Sequence, residues 1–204
     1  MKTTESDLAD LTRCGGRTDL LAQAVRNLLI DKGLINRDRL ADLRAEIDTR
    51  GPLLGARLAA RAWADADFRT LLLTDAKQAV FDELGLRITQ GPEFTVVENT
   101  PQVHHAIVCT LCSCYPKAIL GLPPDWYKSF AYRSRMVVEP RAIMEKFGTT
   151  IPDGTEIRVM DSTADLRYMV LPLRPPGTEG LGADDLARVI SRDDLIGVTV
   201  PRAP

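Results

Sequence analysis

Ala106-Ile107-Val108-Cys109-Thr110-Leu111-Cys112-Ser113-Cys114-Tyr115-Pro116 joins a short apolar run to three cysteines spaced within six residues and then to a proline. The apolar run predicts the end of a buried strand. Pro116 and the loop after it argue against the helix start that a thioredoxin-type Cys-x-x-Cys pair requires. Cys112 and Cys114 flank a single residue, so on an extended backbone both sulfurs project to one side. Cys109 reaches the same point if the chain folds back, which also brings the backbone nitrogens of Ser113 and Cys114 close. Three sulfurs on so short a loop form a ligand set, and soft thiolates suit cobalt, iron or zinc rather than calcium or magnesium.

Outward from this loop the chain divides near Gly91-Pro92. Before that point the apolar spacing is helical. Leu20, Leu21, Ala24, Val25, Leu28 and Leu29 form one stripe that Gly33 should end. Asn36 should cap a second helix carrying Leu40, Leu43 and Ile47. Gly51-Pro52 opens a third, through Leu58, Ala59, Ala62 and Trp63. Thr74 is the expected cap of a fourth, with Ala76, Val80 and Leu84 inward and Gly85 as its stop. After Gly91 the pattern shortens, predicting strands at 94–97, 106–108, 157–160, 168–173 and 196–200. Two helices interrupt them, one from Pro140 to Gly148 and one over 183–190. The expectation is an α+β protein: a disordered tail over 1–18, a helical N-terminal arm over 19–90, and an α+β metal-binding domain over 91–204.

Composition narrows the function. The 204 residues are 45% apolar and 26% charged, ordinary for a globular chain. Lys and Arg total 26 against 28 Asp and Glu, a formal charge of -2, which provides no general field for nucleic acid or an anionic membrane. No apolar run approaches the ~20 residues that span a bilayer. The polar start Met1-Lys2-Thr3-Thr4-Glu5-Ser6-Asp7 has no signal-peptide core after it, so a cytoplasmic protein is expected. Cys14 is then expected to be a free thiol, with no disulfide framework.

Competing readings of the cysteine run are weaker. Structural zinc sites usually draw on two separated ligand pairs, and the only histidines, His104 and His105, lie on the approaching strand and read as surface or core residues. An iron–sulfur cluster would need a fourth cysteine, and Cys14 is far off in the tail. A mononuclear transition-metal site is favoured over each.

Val108-Cys109-Thr110-Leu111-Cys112-Ser113-Cys114-Tyr115-Pro116 resembles the metal-binding signature of the nitrile hydratase α subunit in its cobalt-type form. The iron-type form carries Ser and Thr where this chain has Thr110 and Tyr115. The similarity continues through Leu120-Gly121-Leu122-Pro123-Pro124-Asp125-Trp126-Tyr127-Lys128-Ser129, Tyr132-Arg133-Ser134-Arg135 and Arg167-Tyr168-Met169-Val170-Leu171-Pro172. Leu29-Ile30-Asp31-Lys32-Gly33 resembles part of the family's N-terminal arm, so the similarity covers roughly Asp19 to Val200.

The resemblance implies a layered α/β/β/α-type domain carrying one Co(III) ion, with iron the less favoured metal. It implies Cys109 as axial thiolate, Cys112 as a sulfinic acid and Cys114 as a sulfenic acid, two rungs of the ordinary cysteine oxidation ladder. The backbone nitrogens of Ser113 and Cys114 would complete the equatorial plane, leaving a sixth position open. The implied activity is hydration of a nitrile to its amide. The metal would act as Lewis acid, or the Cys114 sulfenate as nucleophile; the residues leave both routes open. The implied partners are a β-type subunit, which would supply arginines to the oxidised sulfurs, a cobalt-insertion activator protein and a small-molecule nitrile.

The alternatives are a thiocyanate hydrolase metal-binding subunit, which has a nearly identical claw, and a non-catalytic metal-binding subunit. One departure bears on the substrate. The family usually has Trp and then Pro after Tyr-Pro, whereas here Lys117 and Ala118 follow. Exchanging an aromatic for a cation should open the pocket toward a bulky polar nitrile, such as a nucleoside nitrile. Gln90 is a further pocket candidate. Arg133, Arg135, Arg158, Arg167 and Arg174 are expected in inter-subunit ion pairs, and Trp126 and Tyr127 as packing residues.

Overall fold

The computed structural model describes residues 17–48, 51–89 and 91–204, with side chains from 20 to 42 and throughout the two later segments. Gln90, Cys14 and residues 1–16 of the tail expected over 1–18 lie outside the described residues, while Arg17 and Thr18 begin a helix. Helix α1 runs Arg17–Asp31 and α2 runs Arg37–Asp48. Asn36 caps α2 as expected, its side-chain oxygen accepting the Arg39 N–H at 2.9 Å. Gly33, at φ 68°, ends the turn between them.

Helix α3, Pro52–Ala64, has Pro52 in its first turn and buries Gly55, Ala56, Leu58, Ala59, Ala60 and Ala62. These small side chains admit close neighbours. An added Cβ on Gly55 would stand 2.5 Å from Leu120 and 2.9 Å from Leu195. Two more helices follow, α4 at Ala66–Thr74 and α5 at Ala76–Leu84. Here the expected cap is corrected. The Thr74 hydroxyl donates back to the Thr70 carbonyl at 2.8 Å, closing α4. Asp75 caps α5 instead, accepting from the Gln78 N–H at 3.0 Å.

Among the described residues, four strands form two parallel pairs. Strand β1, Glu93–Glu98, pairs with β4, Leu166–Leu171; β2, Val103–Val108, pairs with β3, Glu156–Asp161. Parallel pairing requires crossovers. That between β2 and β3 carries short helices α6 (Lys117–Leu120), α7 (Asp125–Lys128), α8 (Phe130–Met136) and α9 (Pro140–Lys146). Only α9 was foreseen in the sequence. Helices α10, Ala183–Arg188, and α11, Arg192–Ile196, close the chain.

The strand expected over 196–200 is absent. Ser191 and Asp194 form a reciprocal capping box that starts α11, and Gly197 at φ 82° ends it. Gly197 then lies against β2, where an added Cβ would meet the His105 carbonyl oxygen at 2.0 Å.

Helices flank both small sheets, an α+β fold. Residues 52–84 share one hydrophobic core with the strands: Leu58, Leu72 and Val80 lie in the same buried cluster as Ile107, Met169 and Leu195. No helix among the described residues is long and apolar enough to cross a membrane.

Candidate metal centre

Strand β2 buries Ala106, Ile107 and Val108 completely and delivers Cys109, also fully buried, to the sheet's edge. The chain then turns outward. Leu111 is 86% exposed, while Cys112 comes back so that its N–H donates to the Cys109 sulfur at 3.3 Å. The Cys109 and Cys112 sulfurs are 3.5 Å apart and those of Cys112 and Cys114 are 3.2 Å apart. All three lie within 4.8 Å of one another.

Two thiolates about 2.3 Å from one ion stand about 3.3 Å apart at a right angle and about 3.8 Å apart in a tetrahedron. The observed separations of 3.2 and 3.5 Å lie in the range that one ion can bridge. The donor set therefore fits a soft transition-metal ion.

Charge at the claw is uneven. The neighbouring thiols of Cys114 and Cys109, followed by the backbone N–H groups of Ser113 and Cys114, hold the Cys112 thiol below its ordinary pKa. Burial, then hydrogen bonding to Cys112, pushes the Cys114 thiol up to about 12, and the positive charge of Arg167 opposes that rise.

Aromatic residues brace the loop from behind. The Tyr127 hydroxyl donates to the Cys114 carbonyl at 2.8 Å, and the Tyr132 hydroxyl donates to the Ile107 carbonyl at 2.7 Å. Both rings are fully buried. Trp126 packs edge-on against Tyr127, Tyr132 and Phe147 at centroid distances of 5.9, 4.9 and 4.8 Å. The expectation that Trp126 and Tyr127 pack holds, and Tyr127 additionally holds the backbone of a cysteine.

A cleft of about 390 Å³ opens beside the claw, with Cys112, Ser113 and Cys114 on one side and Ile88, Phe94 and Ile119 among its apolar walls. Lys117, at the first position of α6, lines this cleft. Arg167, from β4, is its other charged side chain, so every charged group on the wall is cationic. Arg167 is not legible as a site residue in the sequence, because only the β1–β4 pairing and the packing of the sheets bring it there.

The remaining arginines also make contacts within the chain. Arg135 pairs with Glu139 and Arg158 with Glu156, both within the chain. Arg174 binds the Trp63 carbonyl at 3.2 Å and Thr178, and Arg133 binds the Thr110 carbonyl at 3.2 Å.

His104 and His105 are not part of the sulfur cluster. The His105 N–H donates to Asn99 Oδ1 at 2.7 Å, which turns the Asn99 amide nitrogen toward His104 Nδ1 at 3.1 Å. Nδ1 must then accept, and Nε2 donates to the Gly197 carbonyl at 2.8 Å. His104 is thereby fixed as the neutral Nε2–H tautomer, and burial lowers its pKa.

Comparison with known proteins agrees with this geometry. The sequence profile described as nitrile hydratase, alpha chain, matches residues 17–199. The low-molecular weight cobalt-containing nitrile hydratase subunit alpha of Rhodococcus rhodochrous is 50% identical over 183 residues, covering 89% of this chain and 88% of the relative. Thiocyanate hydrolase subunit gamma of Thiobacillus thioparus is 40% identical, covering 90% of this chain and 80% of the relative. Among solved structures, a double mutant of Fe-type nitrile hydratase from Comamonas testosteroni Ni1 superimposes with a TM-score of 0.84 at 37% identity, covering 99% of this chain and 94% of the other. Such agreement in sequence and in backbone places the chain in the nitrile hydratase alpha-chain family, a family of hydro-lyases.

Proposed function

We propose that this chain is the cobalt-binding alpha subunit of a nitrile hydratase, adding water across a carbon–nitrogen triple bond to give an amide. The observation that carries the reading is the convergence of Cys109, Cys112 and Cys114, with Cys112 and Cys114 lining a cleft open to a small molecule. Cobalt rather than iron follows from Thr110 and Tyr115 in the motif and from the cobalt-containing relatives in Rhodococcus rhodochrous and Pseudonocardia thermophila. The three sulfurs and the backbone nitrogens of Ser113 and Cys114 would hold the ion, with Cys112 as sulfinate and Cys114 as sulfenate. Bound there, Co(III) would supply Lewis acidity.

The chain's own residues do the rest. The apolar walls exclude water from the nitrile carbon. Arg167 faces Cys114 and would offset negative charge on an oxidised sulfur, since an unpaired charge in a dry site is costly. A β-type partner would complete the cover and add further cationic donors, and a cobalt-insertion activator would load the ion. Lys117, standing where the family usually has Trp, favours a bulky polar nitrile, such as a nucleoside nitrile. Lys117 makes no ion pair among the described residues. Gln90 remains a pocket proposal from the sequence alone.

The test is co-expression with the neighbouring subunits in cobalt medium, followed by metal analysis, intact mass and amide detection. Cobalt, two added oxygens on Cys112, one on Cys114 and amide formation are expected, and Cys109→Ser should abolish all of them. Stoichiometric zinc on unmodified thiols would refute the reading.

A second reading has an observation of its own. Both charged residues on the cleft are cations, which suits an anionic substrate, and thiocyanate hydrolase subunit gamma is a 40% relative. Preferential turnover of thiocyanate over bulky and small nitriles would transfer the assignment.

A further inference from the structure

Thr110, between the first two cysteines, has none of its polar groups free. Its N–H donates to Asp161 Oδ1 at 3.0 Å and its hydroxyl to Asp161 Oδ2 at 2.6 Å. Its carbonyl accepts from Arg133 at 3.2 Å. Asp161 is the last residue of β3 and pairs in register with Val108, the residue before Cys109. The ladder continues one step further, with the Ser162 N–H donating to the Val108 carbonyl at 2.7 Å. The strand pairing therefore presents a carboxylate level with the root of the claw, where both oxygens can engage one residue.

Only two residues separate Cys109 from Cys112, and the second, Leu111, stands in solvent. The orientation of Thr110 consequently sets how the chain returns toward the buried Cys109. From this we infer that Asp161 is a positioning residue for the metal centre. It touches neither metal nor substrate, and acts through Thr110 to hold the Cys109–Cys112 span at ligating distance. The inference rests on the cysteine cluster being a metal site, but not on which reaction that site performs.

Two conservative changes separate this role from bulk packing. Thr110→Val keeps the shape and removes the hydroxyl; Thr110→Ser keeps the hydroxyl and removes a methyl. The reduced full-length chain is titrated with Co(II) under anaerobic conditions, reading the sulfur-to-cobalt charge-transfer band, with circular dichroism to confirm folding. Wild type and Thr110→Ser should bind within about twofold of each other. Thr110→Val and Asp161→Asn should each weaken binding by at least tenfold and shift the band. The double variant Thr110→Val/Asp161→Asn should lose less than the product of the two single losses, because both changes act on the shared hydroxyl–carboxylate contact.

Thr110→Val binding as tightly as wild type, or losses that multiply in the double variant, would overturn the inference. A wild-type chain that takes up no Co(II), either alone or with the insertion activator present, would overturn the metal site and the inference together. Failure to make an amide in the assembled protein would refute the nitrile hydratase reading alone and leave this titration standing.

Discussion

Helices α1 and α3 are built on similar apolar periodicity and end in opposite surroundings. In α1, Leu20, Leu21, Val25 and Leu28 are 68%, 65%, 47% and 53% exposed. In α3, Leu58 and Ala59 are fully buried, and Gly55 lies against Leu120, Leu195 and Met169. Periodicity identifies which face of a helix is apolar; side-chain size decides how closely a neighbour can approach it. The α3 face is made of Gly and Ala around one Leu, so α10, α11 and α6 can close on it. The α1 face is made of large side chains and stays largely exposed.

The comparison can be broken most directly at Leu58. Leu58→Ala should destabilise the chain by about 2–5 kcal/mol, through lost burial and the cavity left behind. Denaturant unfolding with an unchanged midpoint would show that α3 is not the centre of the core. Gly55→Ala should cost about 1–3 kcal/mol by overpacking, because its Cβ has no room among three buried side chains. A neutral result in the same assay would mean that Leu120 and Leu195 move aside freely.

Acid sharpens the contrast between body and arm. Burial holds the pKa of His104 below its ordinary 6.5, so the unfolded chain binds the proton more readily. The stability from neutral His104 is complete above pH 6.5 and is lost as pH falls toward the folded value. Thermal melts should thus shift down below pH 6.5, and His104→Gln should flatten that dependence. An unchanged slope in the variant would assign the acid sensitivity elsewhere.

The smallest effect belongs to α1. Leu28→Ser should change the stability of the chain alone by no more than about 0.5 kcal/mol, as for other exposed positions. A marked loss of co-purifying partner with the same substitution would show that another subunit covers this stripe.

Much of the fold was legible where a residue acts on its immediate neighbours. Asn36, Gly51-Pro52 and Gly85 mark helix ends through bonds or φ values set within four residues. The errors arose where two local signals competed. Thr74 and Asp75 are both cap formers, and only the back-bond of Thr74 to Thr70 assigns the cap to Asp75. Ile196 to Val200 alternates like a strand, but the Ser191–Asp194 box and Gly197 draw its start into a helix. The cysteines of the site were legible because they are sequence neighbours. Arg167 and Asp161 were not, since each arrives through sheet packing or parallel pairing across some fifty residues.

The in-register pairing of Val108 with Asp161 also bears on transplantation. A synthetic hexapeptide carrying Cys109 through Cys114 would contain every sulfur yet lack the carboxylate that spaces them. Grafting the centre into another scaffold therefore calls for two adjacent parallel strands ending at the same level, one bearing the loop and the other an aspartate. The crossover between those strands can vary in length in such a graft, provided their ends stay aligned.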